Sequence, residues 1–260
     1  MGKSLYYLVP KGFQSKFPLV FETLRFIKNQ DYIPFLKFYF DNDIPLSKKE
    51  KASILNRLFS INMKVNSPHR QYEILGFISK MLQYKDIEGD FVECGCFKGS
   101  STSKFSIIAK LLNKKLYVFD SFEGIPDNNE NHDYNIYGEA SGFKQGDFSG
   151  SLEEVKNNVR KYGEIDSCIF TKGWFDNTLP NFKGNINAVY IDVDLASSTK
   201  TCLKYFYPML NKGGVIMSQD GHLPLVIDVF KDKIFWTEEM NSNAPNVEGL
   251  GKDKLIYFTK

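Results

Sequence analysis

Two rhythms of hydrophobic and polar residues divide this chain, and they meet near residue 70. Before it, Leu19-Val20-Phe21 through Phe26-Ile27, and then Ala52 through Phe59, repeat with roughly the period of one helix face. No glycine loop and no strand–helix alternation occurs there. Residues 1–68 are therefore expected to form a helical extension that covers the main domain, lids its site or joins a dimer. From Gln71 onward, short apolar runs alternate with amphipathic stretches. Tyr72 to Leu82 predicts a helix, Asp90-Phe91-Val92-Glu93 a strand, Ser100 to Leu112 a helix and Lys115 to Asp120 a second strand. A polar stretch rich in Asn, Asp and Gly then runs from Gly124 to Gly150; loops of that length in compact domains are functional lids or disordered. Ser151-Leu152-Glu153-Glu154 is a capping-box pattern that opens a helix to about Tyr162, with Gly163 as its stop. Cys168-Ile169-Phe170 and Ala188 to Asp192 predict the third and fourth strands. Ser198 to Leu210 predicts a helix closed by Lys212-Gly213-Gly214, before a fifth strand, Val215-Ile216-Met217. Leu225 to Phe230 reads as helix, and Ile234-Phe235-Trp236 with Lys254 to Phe258 as a final pair of strands. This alternation predicts an α/β fold over residues 69–260, with a doubly wound, mostly parallel sheet.

In such sheets ligands bind beyond the carboxyl ends of the strands, where strand order reverses. The run Phe91-Val92-Glu93-Cys94-Gly95-Cys96-Phe97-Lys98-Gly99-Ser100 joins the first strand to its helix. Gly95 and Gly99 let the backbone turn tightly, and the helix opening at Ser100 presents free N–H groups and a positive dipole end. Asp120 lies 21 residues beyond Gly99, at the tip of the second strand, where an acid can accept both ribose hydroxyls. An adenosine-bearing cofactor follows. Dinucleotide enzymes use G-x-G-x-x-G so that a pyrophosphate sits on the helix. Here the pattern is E-x-G-x-x-x-G, and Glu93 would repel a pyrophosphate. The same acid suits the ammonium of a methionine moiety, so charge favours S-adenosylmethionine over NAD.

A second set of acids stands at the far strands. Ile191-Asp192-Val193-Asp194 ends the fourth strand and Ser218-Gln219-Asp220 the fifth. Asp192 and Asp194 share a face if the strand geometry persists. Three carboxylates in one cleft repel unless a cation or a proton compensates, and a hard divalent ion such as Mg²⁺ is a natural partner. Such an ion would polarise a bound hydroxyl while an Asp takes its proton. Other readings stay open: Asp194 as a helix cap, Asp220 as a strand terminator, and His222 as ligand, base or loop residue. His69 and His132 belong to no constellation in the sequence.

Composition narrows the function classes. A net charge of +2, with scattered lysines, gives no reason to expect a nucleic-acid partner. The one cluster, Lys48-Lys49-Glu50-Lys51, reads as a solvated helix start. No apolar run is long enough to span a membrane, and the N-terminus shows neither a signal peptide's apolar core nor a myristoylation pattern. Cys94, Cys96, Cys168 and Cys202 lack disulfide or C-x-x-C spacing; Cys94 and Cys96, which straddle Gly95, read as small buried thiols, with a metal or redox role as the alternative, and a reduced, cytoplasmic setting fits.

Several runs together resemble the macrocin O-methyltransferase family, whose members methylate sugar hydroxyls on macrolides and related natural products. These runs are Val92-Glu93-Cys94-Gly95; Phe119-Asp120-Ser121-Phe122-Glu123-Gly124-Ile125-Pro126; Gly173-Trp174-Phe175 with Thr178-Leu179-Pro180; Tyr190 to Leu195 with Ser198-Thr199; and Tyr207-Pro208 before Gly213-Gly214. The match covers roughly residues 70 to 235. The resemblance implies a class I methyltransferase (Rossmann-like) fold with an antiparallel C-terminal strand, S-adenosylmethionine, a divalent metal, a hydroxylated small-molecule acceptor and a homo-oligomer. It places Glu93, Gly95 and Asp120 on the cofactor, together with Cys96, Gly99, Ser100, Ser121 and Phe122 of the same two loops. It adds Gly173 and Trp174, puts Asp192 by the cofactor and, with Asp220, on the metal, and makes Asp194 a candidate base; Asp192, Asp194 and His222 are the candidate catalytic residues. The family ends its fifth strand with two adjacent acids, whereas Gly221 follows Asp220 here. His222 or a water would have to stand in. An O-methyltransferase is thus the leading expectation. An N-methyltransferase, a non-catalytic cofactor-binding partner and an NAD enzyme are the alternatives.

Overall fold

The structure, a computed structural model, describes residues 18–260. The start of the 1–68 extension, including the N-terminal targeting reading, lies outside the described residues. Helices α1 (Pro18–Lys28), α2 (Tyr32–Phe40), α3 (Lys48–Asn62) and α4 (Gln71–Gln83) come first. Strand β1 (Asp90–Cys94), α5 (Ser100–Leu111), β2 (Leu116–Asp120), α6 (Leu152–Tyr162) and β3 (Cys168–Lys172) follow. The short α7 (Phe175–Thr178), β4 (Ile186–Ile191), α8 (Ala196–Met209), β5 (Leu210–Ser218), α9 (Pro224–Lys231) and β6 (Ile256–Thr259) complete the chain.

The sheet has six strands in the order β3-β2-β1-β4-β5-β6. Pairs from β3 to β5 are parallel, and β6 runs antiparallel to β5. Strand order therefore reverses between β1 and β4. Every residue of β4 is buried, as a parallel strand covered on both faces requires. Side-chain alternation splits the core in two. Phe91, Val118, Tyr190 and Met217 face α4 and α5, where Phe77 and Phe105 pack. Val92, Cys94, Val189 and Ile216 face α8 and α9, where Phe206 and Phe230 pack. The extension joins the first layer through Ile54, Leu58 and Ile61 of α3.

Some local expectations change. A helix over Tyr32–Phe40 is not visible in the apolar period, because the run is apolar on nearly every side and contains Pro34. Pro34 lies in the first turn, where its missing N–H is not needed. Ser47 and Glu50 form a full capping box on α3, yet Lys51 of the supposedly solvated cluster is buried, its ammonium bonded to the Asp41 carbonyl. Ser151 caps α6 by accepting the Glu154 N–H at 3.1 Å, but the Glu154 carboxylate turns to Lys98 at 2.9 Å instead of closing a box. Gly213-Gly214 does not close α8. The helix ends at Met209 and β5 starts at the next residue, with Gly213 at φ 82° inside the strand. Ile234-Phe235-Trp236 is no strand either: Phe235–Glu239 forms a π-helical turn. Three consecutive apolar residues do not distinguish a strand from a buried turn. Trp236 is fully buried there, its indole N–H donating to the Phe230 carbonyl at 3.2 Å.

Candidate active site

The loop after β1 is held by the end of β4. Gly95 has φ 81°, and a Cβ on it would stand 1.9 Å from the Asp192 carbonyl oxygen, so only glycine fits. Gly99, φ 79°, occupies the cap position of α5 without a side-chain cap. The Asp120 carboxylate ties two loops together. It accepts the Cys96 N–H at 2.7 Å and the Phe122 N–H at 2.6 Å, one on each oxygen. Each oxygen retains a lone pair for a ligand. Burial pushes the Asp120 carboxyl up, and those N–H groups oppose the rise.

Glu93 lies on the α5 side of β1, with no exposed surface. Both its oxygens lack a hydrogen-bond partner, as do the buried hydroxyls of Ser100 and Thr102 in the first turn of α5. Burial pushes Glu93 up to about 8; Ser101 and Thr102 lie close enough to relieve part of that, without completing a bond. A buried acid and two hydroxyls left unpaired beside a helix N-terminus fit the charged end of an amino-acid ligand.

Beyond the carboxyl ends of β2, β1, β4 and β5 lies a cavity of about 400 Å³, a size suited to a small ligand. Of the residues singled out above, Gly95, Cys96, Asp120, Ser121, Gly173 and Trp174 line it. So do Asp192, Asp194, Asp220 and His222. Glu93, Gly99, Ser100 and Phe122 stand outside its lining: Glu93 is turned toward α5 by strand alternation, and Phe122 is packed into the core. Cys94 and Cys96 are buried free thiols. The 124–150 stretch contributes Phe143 and Phe148 to the cavity wall. Glu130 anchors that stretch by accepting the Ala196 and Ser197 N–H groups at 2.7 and 2.9 Å, which caps α8 from outside. Asp194 is therefore not the cap. His132, buried, bonds the same Glu130 at 2.8 Å. A further tie runs from the Ile136 N–H to the His222 carbonyl at 2.9 Å.

The acids at the far strands are not equivalent. One oxygen of Asp220 accepts the Val193 and Asp194 N–H groups, both at 3.0 Å. That wrap holds Asp194 at φ 61°, a strained angle for a residue with a side chain. Burial, with Asp192 adding to it, pushes Asp220 up to about 7. Burial and the negative charges of Asp220 and Asp192 push Asp194 well above the usual carboxylate range. Asp192 meets a residue that has no role in the sequence reading: His69 Nε2 lies 2.6 Å from its Oδ2. Glu73 Oε2 is 3.6 Å from His69 Nδ1, and Lys254 Nζ is 3.9 Å from Glu73 Oε1. Burial opposes a charged His69, but Asp192 and Glu73 outweigh it and raise it to about 10, so it is an imidazolium at neutral pH. His222 is the reverse: burial and then Lys254 push it down to about 4, leaving it neutral. His69 lies just before α4, and no local pattern in the sequence marks its approach to Asp192.

A divalent ion does not fit this donor set. One Asp192 oxygen is engaged by an imidazolium, one Asp220 oxygen by two backbone N–H groups, and an ammonium lines the same cavity. Among the described residues no three His, Cys, Asp or Glu side chains are placed to hold a metal.

The model of the macrocin-O-methyltransferase family matches residues 69–242. A Streptomyces olivaceus protein, 8-demethyl-8-(2,3-dimethoxy-alpha-L-rhamnosyl)-tetracenomycin-C 4'-O-methyltransferase, is 28% identical over 163 residues, 57% of this chain and 57% of that protein. Demethyldecarbamoylnovobiocin O-methyltransferase of Streptomyces niveus is 32% identical over 140 residues, 52% of this chain and 53% of its own. The chain thus spans little more than half the length of the curated relatives it matches. The solved structure of the O-methyltransferase NovP shares the fold, with TM-score 0.58 and 24% identity over 72% of this chain and 77% of that one.

Proposed function

Because the chain belongs to the macrocin-O-methyltransferase family, we propose that it methylates a hydroxyl on a sugar of a secondary metabolite, with S-adenosylmethionine as donor. One observation carries the reading: the matched segment, 69–242, holds both Asp120 on one side of β1 and the acids at the tips of β4 and β5 on the other, around a single cavity. The name of the Streptomyces olivaceus relative specifies a rhamnosyl-bearing acceptor, which supports a sugar acceptor.

When bound, S-adenosylmethionine supplies an electrophilic methyl group on a positive sulfur. Asp120 would hold its ribose hydroxyls, and Glu93 would offset its ammonium from beneath the loop. Trp174 and the 124–150 stretch wall the cavity against water. Asp194 accepts the proton of the acceptor hydroxyl in its ionised form, which the nearby His69 and Lys254 charges favour against burial and the neighbouring acids. His222, neutral and in the same cavity lining, is the second candidate for that proton. No step uses a metal.

We also read residues 69–260 as the transferase domain, and α1 and α2 of the extension as a subunit contact.

The test offers methyl-labelled donor with a panel of rhamnosides, deoxysugar glycosides and amino sugars. Label is expected on a sugar oxygen, and Asp194→Asn is expected to lose about 100-fold or more of it, the usual worth of a general base. Unchanged S-adenosylhomocysteine affinity in that variant would place the loss in chemistry. Label on nitrogen alone would move the assignment to amines, and cofactor binding without transfer to any acceptor would favour a non-catalytic partner.

A further inference from the structure

Both neighbours of Asp220 in the chain lack a carboxylate, and packing explains why an acid is absent on one side. Gln219 is fully buried and its Oε1 accepts the Tyr190 hydroxyl at 3.0 Å, so it belongs to the core. Gly221 lies against the segment that leads into β6. Its N–H donates to the Lys254 carbonyl at 2.9 Å. A Cβ there would stand 2.3 Å from Ile256 Cγ2 and 2.7 Å from the Asp253 carbonyl oxygen. No side chain fits at 221 unless this segment moves away. The close approach brings Lys254 to the cavity, where its side chain is one-quarter exposed and lines the wall with Asp192, Asp194 and Asp220.

We propose that Lys254 is the resident cation of the acceptor site, held there by the packing of its segment on Gly221, and that it takes the place of a divalent metal. This rests on the O-methyl reading above. An ammonium near the acceptor oxygen stabilises the negative charge that develops as the hydroxyl proton passes to Asp194. Lys254 acts through its charge and exchanges no proton in this step, so no other reactant is needed. The His69 imidazolium, bound to Asp192, adds a second positive charge to the same corner. Together these two charges oppose a divalent ion in that corner.

The decisive measurement is Mn²⁺ binding, followed by electron paramagnetic resonance, on the full chain with S-adenosylhomocysteine. Wild type should show no saturable site up to about 1 mM, the weak end of protein sites for such ions. Lys254→Met should bind Mn²⁺ about tenfold tighter or better, while Lys254→Arg, which keeps the charge, should match wild type. Saturation of wild type in the micromolar range overturns the proposal, as does a Lys254→Met curve that superimposes on wild type. If Lys254→Met does not fold, the wild-type and Lys254→Arg curves decide the matter. On any acceptor that the panel labels, transfer should persist in excess EDTA, and its loss would overturn the role of Lys254 while leaving O-methylation intact. Absence of transfer to every acceptor would instead remove the functional reading and leave the Mn²⁺ result standing.

Discussion

A carboxyl with no exposed surface and no hydrogen-bond partner keeps its proton until something positive arrives, and Glu93 is in that position. Its folded value of about 8 lies above its ordinary 4.5. Between those values the folded protein holds a proton that the unfolded chain has released, so stability falls as pH rises through the window. Thermal melts of the cofactor-free protein should therefore fall more steeply from acid to about pH 8 in wild type than in Glu93→Gln. The same variant should bind S-adenosylhomocysteine about tenfold more weakly by calorimetry, the value of one charge-assisted bond. Parallel pH slopes would mean that Glu93 is already ionised. At this scale the sequence was informative wherever a side chain sat at a strand tip. Gly95, Asp120, Asp192 and Asp220 are placed by the strand period and by one glycine turn. His69, just before α4, and Lys254, just before β6, reach the same cavity from the two ends of the alternating region. No local pattern records that meeting.

Elements with a strong local cause were legible, and those decided by tertiary contact were not. Amphipathic α4 and the buried strands β1, β2 and β4 follow from spacing alone. The π-helical turn at Phe235–Glu239 and the direct passage from α8 into β5 depend on what packs over them. The start of α8 shows the same limit. Its cap is Glu130, 66 residues upstream of Ala196, whose carboxylate also fastens the 124–150 stretch. Glu130→Ala should thus act twice. It should cost about 1 kcal/mol of stability, as a lost helix cap does, and should expose the stretch to proteolysis. Trypsin cleavage after Lys144, followed by mass spectrometry, should accelerate in the variant and be suppressed by bound cofactor in wild type. Equal cleavage rates would mean that the stretch is held elsewhere.

At the scale of the molecule, the extension packs α3 into the core but leaves apolar side chains of its first two helices bare. Leu24 and Ile27 on α1, and Ile33, Leu36 and Phe40 on α2, are exposed among the described residues. Such a patch is costly in a free monomer, so a second subunit should cover it. Sedimentation should find wild type as a dimer or larger, and Leu24→Asp with Ile27→Asp as a monomer with its fold intact. A monomeric wild type would reassign the extension to covering its own domain. The chain also contains only two tryptophans, Trp174 and Trp236. Trp174 is 37% exposed on the cavity wall and Trp236 is fully buried behind β6. Fluorescence of the native protein therefore carries its own reference: acrylamide reaches one emitter and not the other. Filling the cavity should shield the quenchable fraction and leave the inaccessible fraction constant, so ligands can be ranked by light emission before any acceptor is known.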